Sequence, residues 1–193
     1  MMTTERSAKW PHTGAILCGG KSIRMGTPKA LLVLPSGRTM VEHVYRALQA
    51  ICKEVVLVGS SKNVPASLRH VRRLQDNYKE LGPIGGLEAL FSSGLDSEYL
   101  VSPCDLFRVT PDLFSLLLQP NVKLPVILSH QKCIEPLVGR YPAVLLPVLR
   151  EHITHGKLAM TGLVKEIHAT FISIPKEHVR ALSNANTPED LAK

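Results

Sequence analysis

The sequence predicts an α/β fold of three layers, a mostly parallel sheet with helices on both faces. Three observations predict it. Short apolar runs rich in β-branched residues alternate along the chain with segments of helical periodicity, the pattern of parallel strands joined by helical crossovers. Those runs are mostly unbroken, as strands covered on both faces must be. Gly19, Gly59, Asp76 and Asp105 each fall just past the end of such a run, at the edge where sheets of this kind gather ligands.

Taken in order, Ala15-Ile16-Leu17-Cys18 is the first buried strand, and a glycine-rich loop follows it at once. Met40 to Ile51 repeats apolar residues at helical spacing behind Thr39, a capping residue. Glu54 to Gly59 is the second strand, Pro65 to Leu68 a short helix, and His70 to Asp76 the third strand. Gly82-Pro83-Ile84-Gly85-Gly86 opens an apolar helix through Phe91 that Gly94 ends; its glycines permit close approach of the helix start to the sheet or a ligand. Tyr99-Leu100-Val101 runs directly into Ser102-Pro103-Cys104-Asp105, and Thr110-Pro111-Asp112 caps a helix to Leu118. Strands over Pro125–Ser129, Ile134–Tyr141 and Thr170–Ile174 and helices over Ala143–Ile153 and Leu158–Ile167 complete the alternation. Thr187-Pro188-Glu189-Asp190 reads as one more helix start.

The loop after the first strand carries the densest chemistry. Gly19 and Gly20 let the backbone turn so that its N–H groups face an anion, while Lys21, Arg24 and Lys29 bring three cations into nine residues. A nucleotide polyphosphate suits such a cradle. Gly20-Lys21-Ser22 imitates the end of a Walker A loop, but that motif needs glycine where Ala15 stands, and residues 15–18 are strand. The dinucleotide pattern G-x-G-x-x-G is absent. Beside a phosphate cradle, Asp105 at a strand end is placed to hold Mg²⁺, since hard cations take one or two carboxylates plus substrate phosphates. Pro28 fixes the backbone before Lys29 and aims its ammonium back towards the loop. Each residue also has a plainer use: Asp105 and Asp76 as turn caps, Lys29 as a solvated surface lysine.

With 193 residues, 45% of them hydrophobic, the chain fits one domain over residues 13–193 behind a polar, disordered tail at residues 1–12. Scattered cysteines, the absence of an apolar leader and the absence of a run long enough to span a bilayer imply a reduced cytoplasmic protein with no membrane association. The formal charge of +7 attracts polyanions. The basic stretch around Arg69, Arg72 and Arg73 lacks interleaved aromatics, so a solvated face is expected there and no nucleic acid partner. His130-x-x-Cys133 and His152-x-x-His155 lack a second pair at zinc-site spacing, and Ser22 lacks recognisable triad partners.

The string L-C-G-G-K-S-I-R-M-G, followed by P-K-A-L-L, resembles the signature loop of the sugar-nucleotide-like nucleotidyltransferases, most closely that of the molybdenum cofactor guanylyltransferases. Asn184-Ala185-Asn186-Thr187-Pro188-Glu189-Asp190-Leu191 resembles that family's ending, and Glu135-Pro136-Leu137 resembles the segment before its substrate-facing strand. The resemblance implies a Rossmann-like nucleotidyltransferase domain that moves GMP from GTP to the terminal phosphate of molybdopterin, uses Mg²⁺, and hands its product to molybdoenzymes and their chaperones. It implies nucleotide contacts at Leu17, Cys18, Gly19, Gly20, Lys29, Asp76 and Asp105, catalytic roles for Lys29, Arg24 and Asp105, the metal on Asp105, and Asn184 and Asn186 facing the substrate. Cys18 stands where the family usually has alanine, and Gly59-Ser60-Ser61 where many members carry asparagine. Pro28-Lys29 is the form of cytidylyltransferase relatives, so a molybdopterin cytidylyltransferase or another small-molecule nucleotidyltransferase stays open. A nucleotide- or RNA-binding module without turnover is the reading from another class.

Overall fold

A computed structural model describes residues 9–19, 28–59, 64–131 and 133–183. Seven strands form one sheet: β1 (Trp10–Leu17), β2 (Cys52–Val58), β3 (Arg73–Leu74), β4 (Glu98–Pro103), β5 (Val126–His130), β6 (Cys133–Pro142) and β7 (Thr170–Ser173), in the order β3-β2-β1-β4-β6-β5-β7. All pairings are parallel except those of β6, which runs against both β4 and β5. The reversed strand puts the start of β6 at the same edge as the ends of β1 to β4. Among the described residues the α-helices are α1 (Met40–Gln49), α2 (Pro83–Ser92), α3 (Pro111–Ser115), α4 (Leu146–Thr154) and α5 (Met160–Glu166), and the helix start expected at Thr187 lies outside them. Among the described residues, no helix is long and apolar enough to cross a membrane.

Strand residues alternate between two buried layers, as the two-residue period requires. Ile16, Leu57, Leu100 and Leu128 pack on the side of α1 and α3, with Val44, Leu48 and Phe114. Ala15, Val56, Val101 and Ile127 face α2, α4 and α5, with Leu87, Leu149 and Leu163. Both layers are nearly water-free, which explains why the strands read as continuous apolar runs. Thr39 starts α1 with a reciprocal cap, its N–H donating to Glu42 Oε2 at 2.7 Å while Glu42 N–H returns a bond to Thr39 Oγ1 at 3.4 Å.

Four local expectations change. β1 begins at Trp10, inside the stretch expected as a tail, because Trp10 N–H reaches Ile51 O at 2.8 Å and Arg140 lies over the indole ring. β3 is confined to Arg73–Leu74, because the preceding 3-10 turn (Ala66–Leu68) continues its hydrogen bonds through Arg69 and Val71. The helix expected to run to Leu118 tightens to 3-10 geometry at Leu116–Leu118, and Thr110 starts it without a side-chain cap. Ala143–Leu145 is likewise a 3-10 turn ahead of α4.

Candidate active site

The ends of β1, β2 and β4, the start of α2 and the start of β6 enclose a crevice of about 270 Å³. Leu17, Gly19, Lys29, Asp76 and Asp105 all line it, so five of the six expected site residues that the structure describes converge there. Gly20, Arg24, Asn184 and Asn186 lie outside the described residues.

Strand register sets the floor. Leu17 pairs with Val58 on one side and Pro103 on the other, so the chain leaves all three strands at one level. Beyond that level Gly59 takes φ +104°, a conformation that favours glycine. A Cβ on Gly59 would stand 2.8 Å from Gly19 N and 3.0 Å from Gly19 Cα. Two backbones therefore touch where the loop begins.

Lys29 stands at the head of a 3-10 turn (Lys29–Leu31) directly after Pro28. Its Nζ lies 3.4 Å from Asp105 Oδ2, and each side chain is 20% exposed. That spacing is a loose, solvent-touched ion pair across the crevice mouth, which leaves both groups able to meet a ligand. On the opposite wall, Asp76 Oδ1 is buried without a hydrogen-bond partner among the described residues, and burial raises its pKa. An acceptor held dry and unbonded is costly to the fold. α2 explains the burial: a Cβ on Gly86 would lie 3.3 Å from Leu17, 3.6 Å from Val58 and 3.8 Å from Asp76 Oδ1, so the helix start rests directly on this corner. The N-terminal N–H groups of α2 thus approach the crevice, where their partial positive charge suits an anion.

Cys18 is nucleotide-binding by resemblance, but its side chain turns into the core beside Cys104 rather than lining the crevice. Contact with the Cys104 thiol, then burial, pushes the Cys18 pKa well up, while Cys104 itself also lines the crevice.

Sequence reasoning passed over the brace behind Asp76. Glu88 is 1% exposed inside α2; its Oε1 accepts from Arg150 Nε at 3.0 Å and its Oε2 from Asn77 Nδ2 at 2.9 Å. Asn77 also reaches Ser92 Oγ at 2.9 Å, so the turn that carries Asp76 is tied to the helix packed against it. A lone acid in an otherwise apolar helix was the available signal. His130 binds Glu135 instead of forming a metal pair with the exposed Cys133, and Arg72 makes only a 3.8 Å contact with Glu54 on the solvated basic face.

A crevice at the C-terminal edge of a mostly parallel sheet, lined by glycine, a lysine and two carboxylates, fits the class of nucleotidyltransferases. The sequence model of the MobA-like NTP transferase domain matches residues 14–170, and the chain belongs to that family. A curated relative, a probable molybdenum cofactor guanylyltransferase from Flavobacterium johnsoniae, is 28% identical over 182 residues, spanning 93% of this chain and 94% of its own. Two solved structures share the fold. A protein from Aquifex aeolicus superposes with a TM-score of 0.77 at 24% identity, over 92% of this chain and 94% of its own. Molybdopterin-guanine dinucleotide biosynthesis protein A from Archaeoglobus fulgidus gives 0.73 at 22% identity, over 94% and 95%.

Proposed function

We propose that the protein transfers GMP from GTP to the terminal phosphate of molybdopterin, in the cytoplasm. The observation that carries the reading is the approach of Lys29 to Asp105, 3.4 Å apart, at the mouth of a crevice whose floor is backbone and glycine. A phosphate oxygen of the acceptor attacks the α-phosphorus of GTP, the new P–O bond forms as the bond to the β-phosphate oxygen breaks, and pyrophosphate departs. Because a phosphate monoester is already anionic near neutral pH, this step asks for alignment and charge neutralisation more than for a general base.

Lys29, Arg24 and the Gly19 and Gly20 amides neutralise charge on the α-phosphate and the leaving pyrophosphate. Leu17 and Asp76 hold the nucleoside side of the crevice, and the family resemblance assigns Asn184 and Asn186 to the acceptor. Asp105 fits Mg²⁺, being an accessible carboxylate beside the phosphate path, and the ion when bound supplies further charge neutralisation there. The similarity to probable molybdenum cofactor guanylyltransferases supports guanylyl transfer to a molybdenum cofactor as the reaction.

Pyrophosphate release measured side by side with GTP, CTP and ATP, with and without molybdopterin, tests this. Release with GTP and molybdopterin should exceed that with CTP by at least about tenfold, roughly 1.4 kcal/mol. A preference for CTP overturns the base assignment. No release with any nucleotide favours a binding module, whose salt-sensitive RNA binding would survive loss of Asp105.

A further inference from the structure

Between Ile127 and Leu128 the β5–β6 register jumps from Gly139 to Glu135, so Pro136, Leu137 and Val138 have no partner on β5. They bulge out of the ladder and line the crevice instead, and Tyr141 Oη donates to Pro136 O to pin the bulge. Glu135 sits at its base, also lining the crevice, with its side chain 30% exposed. This wall lies on the β6 side of β4, away from Gly19, Gly59 and Asp76 on the β1 to β3 side.

His130 holds the carboxylate in place. Its Nε2 lies 3.1 Å from Glu135 Oε1, while its Nδ1 is buried with no partner among the described residues. The ring therefore donates through Nε2–H, and among the described residues no other group bonds to Glu135. Each carboxylate oxygen accepts more than one bond, so both oxygens keep capacity towards the crevice. A fixed carboxylate repels phosphate, so what it faces is a cation or a pair of N–H donors. The flanking, half-buried Pro136 and Leu137 offer apolar surface suited to a flat ring rather than to a hydrated ion.

We infer that Glu135, positioned by His130, reads the acceptor's ring by accepting from the adjacent 2-amino and N3–H donors of a 2-amino-4-oxo-pteridine. The inference rests on the proposed reaction for the identity of the acceptor. Guanine carries a similar donor edge, but the proposed reaction puts the nucleotide on Gly19 and Asp76 towards β1 to β3, across the floor from Glu135. Replacing the 2-amino group by oxygen, as in a lumazine, puts an acceptor against the carboxylate, and a site built around that bond should reject it strongly.

The test is a fluorescence titration of the full chain with the phosphate monoesters of 6-hydroxymethylpterin and 6-hydroxymethyllumazine, alongside GTP, ITP and Mg²⁺. The unaltered protein should bind the pterin ester at least about thirtyfold more tightly than the lumazine ester. Glu135→Gln should reduce that preference below about threefold, because its amide can serve either ring, while GTP and Mg²⁺ affinities hold within about twofold. His130→Leu should lose most of the preference and His130→Gln, which can still donate to Oε1, should restore it. A preference that survives Glu135→Gln overturns the inference, as does a change in GTP-over-ITP selection or a raised Mg²⁺ requirement in that variant. If GMP is transferred to the acceptor yet the two esters bind alike, this inference fails and the proposed reaction stands. If neither ester binds and no GMP is transferred, both fail.

Discussion

Gly59 packs its α-carbon against the backbone of Gly19, and a methyl group there would meet Gly19 N at 2.8 Å. The contact couples the end of β2 to the start of the glycine-rich loop after β1. Gly59→Ala adds that clash to a φ of +104°, so it should cost about 2 kcal/mol in stability and weaken GTP binding at least about tenfold. Thermal melts and calorimetric titration with GTP measure the two effects separately.

Asp105→Asn and Lys29→Ala probe the two partners of the ion pair. Asp105→Asn removes charge at a surface crevice and no core contact, so Tm should stay within about 2 °C while Mg²⁺-dependent pyrophosphate release is abolished. Lys29→Ala should lower kcat/KM about a hundredfold, with GTP affinity and turnover both affected, since its charge acts before and during bond breaking. Steady-state kinetics with pyrophosphate detection reads both. Unfolding of the Asp105 variant would assign that residue to turn capping instead.

Gly139 belongs to the same sheet but answers to the core. A Cβ there would lie 2.6 Å from Ile127 Cδ1, 2.8 Å from Val126 O and 2.9 Å from the Tyr141 ring. One of those partners is backbone and cannot swing away, so Gly139→Ala should destabilise by about 3 kcal/mol. Urea unfolding should show a lower midpoint with an unchanged slope.

Acid stability should depend on Asp96, near the start of β4. Burial alone would raise its pKa, but hydrogen bonds from His12 at 2.6 Å, the Ser97 amide at 3.0 Å and Thr13 at 3.1 Å outweigh it and hold the value below the usual range. A lowered native pKa contributes stability that is complete above the unfolded value, about 3.9, and is lost as pH falls through the native one. Asp96→Asn should therefore be less stable than the parent at pH 6, with the gap narrowing as pH falls below the unfolded value of about 3.9. Denaturant melts across that range give the comparison.

The alternation of strands and helices was legible because the central strands are buried on both faces, so Val55 to Val58 or Leu100 and Val101 show no polar interruption. Lys29, Asp76 and Asp105 were legible because each sits just beyond an apolar run or a fixed proline, a position that sequence displays. The reversal of β6 was not, since a strand's direction depends on pairing and leaves no mark on its composition. Its bulge was hidden for the same reason: Pro136 to Val138 read as ordinary strand, and only the partner strand reveals that they stand outside the ladder. The 3-10 turn at Lys176–Leu182 also escaped notice, being too short for helical periodicity to register.

The reversed strand has a consequence for how the molecule opens. Strands β1 to β4, ending at Pro103, form one continuous half of the sheet, and β5 to β7, beginning at Val126, form the other. The ladder between them consists of four registered pairs, from Glu98 with Pro142 to Val101 with Gly139. Cooperative units in proteins tend to follow such contiguous blocks. Amide hydrogen exchange should accordingly resolve two levels of protection meeting at this ladder, and substrates that span the crevice bridge the joint from outside, drawing the two levels together.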